Sequence, residues 1–148
     1  MTRKSLVLLL LLAGFSSLWA QSNEFEDHYL AAPQAEFSGS VYLVLAAAGL
    51  IPAEATPQVA LEKLKTLGWN ITSTQNHINY GEYALLVMKA FHIPGGIMFH
   101  FFPTPRYAAH ELAYREDADP NWDPDHILTP DEALRILNAV MGSKEGRS

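Results

Sequence analysis

Cysteine is missing from all 148 residues. Its absence excludes disulfides, thiol nucleophiles and thiolate metal sites together. It also excludes the lipid-carrying cysteine that a bacterial lipoprotein bears just after its leader, so an exported chain of this kind rests on its core alone. Positive charge is scarce: ten Lys and Arg stand against sixteen Asp and Glu, a formal net charge of −6. A surface so acidic suits neither nucleic acid nor anionic lipid. Long apolar runs are scarce as well. Leu6–Gly14 and Val41–Ile51 are both shorter than the ~20 residues that a membrane-spanning helix needs. A nucleophile elbow, a phosphate-binding glycine loop and a Cys–His pair are missing too.

The start of the chain follows the grammar of a secretory leader: basic Arg3 and Lys4, the apolar run Leu6–Gly14, and small Ala20 before the expected cut at Gln21. Leu18 is a less suitable residue three positions before that cut, and an uncleaved anchor is the alternative reading. Cleavage would leave eight Lys and Arg against sixteen Asp and Glu, a net charge near −8, and no transmembrane segment. The expected organisation is a leader over 1–20, an acidic segment over 21–37, a helical repeat domain over 38–142 and a frayed tail over 143–148.

The repeat is read from two similar pairs of segments. "TPQVALEKL" begins at Thr56 and "TPRYAAHEL" at Thr104, with Thr, Pro, Ala and Leu at equal offsets. Each predicts a helix with Thr as N-cap and Pro at the first helical position, where its missing N–H costs nothing. "NYGEYALLVMKAF" begins at Asn79 and "TPDEALRILNAVM" at Thr129. Asn79 with Glu82, and Thr129 with Glu132, have the spacing of a capping box. The unit is therefore helix, irregular loop, helix. "SGSVYLVLAAAGLIP" from Ser38 reads as a further second helix, with Gly39 matched to Gly81; its first helix would lie in the acidic segment, truncated or degenerate.

The first helices are amphipathic, with Ala60, Leu61, Leu64 and Leu67 on one face. The second helices are apolar nearly all round, which predicts burial. The expected fold is all-α, with two full helix–loop–helix units and one partial unit, and the second helices packed centrally with pseudo-threefold symmetry. An unrelated five-helix bundle is the alternative.

This arrangement resembles the S-layer homology domain of bacterial envelope proteins. "LTPDEALRIL" from Leu128 is similar to the Thr-Arg-Ala-Glu type signature of that family's second helix, and "RYAAHEL" from Arg106 to its aromatic-Ala pair. The resemblance covers about residues 38–141 and implies three repeats of about fifty residues around a pseudo-threefold axis. It also implies a role in binding wall polysaccharide. The family's motif Arg, which reads an anionic, pyruvate-bearing polymer, is replaced here by Tyr80 and Pro130, which puts that ligand in doubt.

Other chemistry is weighed residue by residue. "DADPNWDPDHILTPDE" from Asp117 fails as an EF-hand: in neither frame does Gly stand at position 6 or Glu at position 12. It reads as a Pro-punctuated loop leading into a helix. "HELAY" from His110 lacks the second His of a zinc protease, since Tyr114 occupies that place. His92 and His100 have no nearby third ligand, and Gly95 and Gly96 read as the stop of the preceding helix. Glu82 and Glu132 are explained by capping rather than as an acid–base pair. "NIT" at Asn70 is a glycosylation sequon with meaning only in a eukaryotic pathway.

The expectation is a non-enzymatic exported module in the periplasm or at the cell surface, with no catalytic residues, cofactor or metal. Its partner would be cell-wall polysaccharide, peptidoglycan or an envelope protein. Candidate binding residues are Asn79, Glu82, Thr129, Glu132, Trp69, Trp122, Tyr107, Phe99 and Phe101. Trp69 and Trp122 sit near the start of the two intra-repeat loops, where an indole can stack on a ligand. The aromatic connector 97–107 offers an adaptor surface as one alternative; a small metal-dependent hydrolase is another.

Overall fold

A computed structural model describes residues 24–115 and 123–145. The expected leader, Trp122 and most of the acidic loop before it lie outside these residues. The described chain is helical throughout, without a strand: α1 (24–31), α2 (Phe37–Ala47), α3 (Pro57–Leu67), α4 (Tyr80–Ala90), α5 (Ile97–Phe101), α6 (Pro105–Tyr114) and α7 (Pro130–Glu145). The all-α expectation therefore holds. No helix among these residues is long and apolar enough to cross a membrane.

Several helices begin where local chemistry says they should. Pro57 and Pro105 open α3 and α6. The Thr56 hydroxyl accepts a bond from the Val59 N–H at 3.4 Å, but Thr104, expected to do the same, makes no side-chain cap. Helix α2 starts at Phe37, one residue before the expected Ser38, after Glu36 with no side-chain cap. Helix α3 stops at Gly68, whose φ of +64° is left-handed and free of the Cβ clash other residues meet. Helix α7 continues to Glu145, so residues 143–145 are helical rather than part of a frayed tail.

Two stops repeat each other closely. After α2, the N–H groups of Gly49 and Leu50 donate to the carbonyls of Ala46 and Leu45. After α4, those of His92 and Ile93 donate to Lys89 and Met88. Both are Schellman closures, with Gly49 and His92 at positive φ. Helix α4 thus ends at Ala90 and is closed by His92, not by Gly95 and Gly96 as expected. The two closures set α2 and α4 at an offset of one residue more than the matching of Gly39 with Gly81 implies.

Helix α4 is buried on every side except at Glu82 and Lys89, as an all-round apolar sequence requires. It packs against α2 and α6, and α3 packs on α2. The Tyr83 hydroxyl donates to the Ala133 carbonyl of α7 at 2.7 Å, and that of Tyr80 to Ala109 of α6 at 3.2 Å. Helix α7 departs from the expected pattern of its class. It buries one face only, through Ala133, Ile136, Leu137 and Val140, while Asp131, Arg135, Asn138 and Met141 are exposed.

Just before α2, α4 and α7 the backbone forms a closed circuit. The Ala35 N–H donates to Leu128 at 2.7 Å, the Leu128 N–H to Ile78 at 3.1 Å, and the Ile78 N–H to Ala35 at 3.1 Å. All three residues are buried, where an unpaired amide is costly. Flanking bonds strengthen two sides: Phe37 N–H to Asn76, and Tyr80 N–H to His126. The corresponding position, the first residue of α7, is Pro130, which has no N–H to give.

Candidate functional site

A groove of about 590 Å³ opens between the end of α3, the loop after it and the start of α2. Leu61, Leu64 and Lys65 of α3 form one wall. Trp69, Asn70, Ile71, Thr72, Ser73 and Asn76 of the loop form the floor and far wall, and Phe37 closes one end. Gly68 turns the chain sharply enough to bring Trp69 back beside α3. Asn70 and Asn76 hold positive φ, a conformation Asn tolerates better than most residues.

The groove is mixed in character. Trp69 is half-buried: it packs against the core and lines the groove. Around it stand amides and hydroxyls from Asn70, Thr72, Ser73 and Asn76, with Lys65 as the single cation of the lining. Among the described residues no carboxylate lines it. An aromatic plane with neutral donors and acceptors beside it is suited to a ligand that has apolar faces and a hydroxylated rim.

The capping pair Asn79 and Glu82 supports this wall in an unexpected way. Asn79 Oδ1 accepts the Glu82 N–H at 2.8 Å, so half of the expected capping box is present. The Glu82 carboxylate does not turn back to Asn79. It accepts the Thr72 N–H at 3.2 Å and the Thr72 hydroxyl at 3.0 Å. Its work is to fasten the groove loop to α4.

At α7 the full capping box forms. The Glu132 N–H donates to the Thr129 hydroxyl at 3.3 Å, and the Thr129 N–H to Glu132 Oε2 at 2.8 Å. His126 Nε2 lies 3.1 Å from the same oxygen. Partial burial pushes the Glu132 pKa up, but the Thr129 N–H, the His126 contact and the Thr129 hydroxyl together hold it below the ordinary carboxylate value. A carboxylate lowered in the folded state adds stability that is complete above the ordinary Glu range and is lost as pH falls through the lowered value. We expect Glu132→Gln to destabilise the protein by about 0.3–1 kcal/mol at neutral pH, the worth of a carboxylate at a helix N-terminus. The gap to wild type should close in acid. Urea unfolding across pH checks this, and a gap that persists unchanged at pH 3 contradicts it.

Eight of the nine candidate residues are among the described residues, and they fall in separate places. Trp69 lines the groove, with Glu82 and Asn79 behind its wall. Thr129 and Glu132 stand at the start of α7. Tyr107 is half-buried on α6. Phe99 corrects the expected aromatic patch: it turns inward, half-buried against the core, with its ring over Gly95 where any Cβ would collide. Phe101 is exposed, on a helix, α5, that was expected to be a linker. Phe37, Lys65 and Asn76 belong to the groove and were not anticipated; they come from three separate elements, and no local motif ties them together.

The fold and site define an all-helical protein with a polar–aromatic groove and a circuit of backbone bonds behind it. No family model, curated protein or solved structure matches the chain.

Proposed function

We propose that this chain is a non-catalytic envelope module of S-layer-homology-like architecture that holds an uncharged stretch of cell-wall glycan in the Trp69 groove. In this reading α2, α4 and α7 are the second helices of three repeats, arranged with pseudo-threefold symmetry, and α1 is the shortened first helix of the first repeat. The circuit Ala35–Leu128–Ile78 supports it, since each of its members immediately precedes one of those helices. The observation that carries the ligand is the groove itself: a half-buried indole among neutral amides and hydroxyls, with no carboxylate in its lining among the described residues.

The place of the family's motif Arg is taken by Phe37, Tyr80 and Pro130 at the first turns of α2, α4 and α7. An anionic sugar would find one cation, Lys65, on a chain of net charge −6. A neutral amino sugar or hexose asks for stacking and hydrogen bonds instead. The leader-like composition of residues 1–20 supports the exported location that this reading assumes.

Sedimentation of the protein with purified cell-wall sacculi tests the reading. Retention should survive added salt, because surface charge attraction is screened at high ionic strength and stacking is not. Trp69→Ala should weaken retention about tenfold or more, the loss typical of a truncated aromatic anchor. Circular dichroism of the variant controls for folding. No retention at any salt or pH, or retention indifferent to Trp69, overturns the proposal.

A further inference from the structure

The strongest unexplained feature is α5. Ile97 is 77% exposed, Phe101 68%, Phe102 57% and Met98 49%. Four large apolar side chains on six consecutive residues form a contiguous greasy knob, a pattern that marks an interaction surface. The knob is built to protrude. Pro94 and Pro103 bracket it, Gly96 begins the helix, and Phe99 alone turns inward, its ring against Gly95, fixing the helix to the body.

Along the sequence that carries the knob, charge is opposite to that of the whole chain. Between Glu82 and Glu111 no Asp or Glu occurs, while Lys89, Arg106 and three histidines do. Arg115 is drawn to the same segment: its guanidinium donates to the Pro94 carbonyl at 2.8 Å. Lys144 shares a small cavity with Arg115 and His92 and places its ammonium 5.5 Å from the centre of the Phe91 ring. Among the described residues the Glu111 carboxylate lies against Gly96 at the base of the helix. The acidity that argues against anionic lipid for the whole chain is thus absent from residues 83–110, with Glu111 at their edge.

We infer that α5 is a membrane-interface wedge, with Ile97, Met98, Phe101 and Phe102 entering the headgroup–acyl boundary of an anionic phospholipid surface and Lys89, Arg106 and Arg115 facing its phosphates. The combination is what reversible membrane attachment requires, because a short apolar insertion is marginal alone and needs a second, electrostatic signal. A protein partner fits less well. A stable protein interface buries about 1,200–2,000 Å² in total, far more than a convex five-residue helix offers. This inference stands apart from the groove reading, and either can fail without the other.

The lack of cysteine makes the test direct. Phe101→Cys and, as control, Glu62→Cys on the exposed face of α3 each give one site for a polarity-sensitive fluorophore. Vesicles of phosphatidylglycerol with phosphatidylcholine should blue-shift the label at 101, and bromine-bearing acyl chains should quench it; the label at 62 should do neither. Because the readout is local, binding through any other apolar segment does not imitate it. In unlabelled protein, Arg106→Gln should weaken vesicle binding about fivefold, the usual worth of one basic residue near such a surface, and Phe101→Asp with Phe102→Asp should abolish insertion. A label at 101 that stays in water on protein-bearing vesicles overturns the inference. So does equal insertion into pure phosphatidylcholine, or crosslinking from 101 to an envelope protein in place of lipid.

Discussion

Tyr83→Ala is expected to destabilise the protein by about 3–5 kcal/mol, the range for removing a buried aromatic side chain. The ring stands at the centre of α4 with 1% exposure, and its hydroxyl reaches across to α7. Burial pushes its pKa well above the ordinary phenol value, with Tyr29 adding in the same direction, so it acts as a neutral donor at any physiological pH. Tyr83→Phe separates the two contributions. It keeps the ring and loses one hydrogen bond, worth about 1 kcal/mol net. Urea unfolding of both variants measures the difference. If Tyr83→Ala behaved like a surface substitution, the docking of α7 onto α4 would be wrong.

The second large effect is at Gly39. A Cβ at this position would lie 2.6 Å from Cδ2 of Tyr29 and 2.9 Å from its Cε2, with Phe25 at 3.3 Å. The Tyr29 ring cannot swing aside cheaply, because its hydroxyl is bound to buried Ser40 at 2.8 Å and Phe25 stacks beside it. Alanine normally gains about 1 kcal/mol over glycine in a helix; here the collision opposes that gain. Gly39→Leu adds three further carbons to the same contact and should cost about 1–3 kcal/mol or more, as overpacking does. The expected form of the damage is specific: α1 leaves the body. Amide exchange should speed up across 24–31 and stay slow across α4. Uniformly faster exchange, or none, contradicts the account.

What the residues foretold was mostly local. Thr56–Pro57, Asn79–Glu82 and Thr129–Glu132 announced helix starts because a cap and its helix lie within four residues of each other. The apolar encirclement of α4 announced its burial. The rest depended on partners far away in sequence. Thr104 resembles Thr56 letter for letter, yet only Thr56 caps its helix. Glu82 has capping-box spacing, but a hydroxyl and an amide on the groove loop compete for its carboxylate. Phe99 and Phe101 look alike in the sequence, and only the turn of α5 decides that one is an anchor and the other a surface. Of the groove, the single indole Trp69 was legible. Its neighbours Phe37 and Asn76 are gathered by backbone bonds, which leave almost no trace in side-chain identity.

The circuit through Ala35, Leu128 and Ile78 carries a consequence for damaged chains. Each member gives its proton to one partner and takes one from the other, so the three links have a common sense of rotation. A chain cut before α7 would lose Leu128 and leave a spare acceptor at one seat and a spare donor at the next. Those loose ends are buried and match only the α7 limb, so a body without it would take up that limb from another copy of the chain.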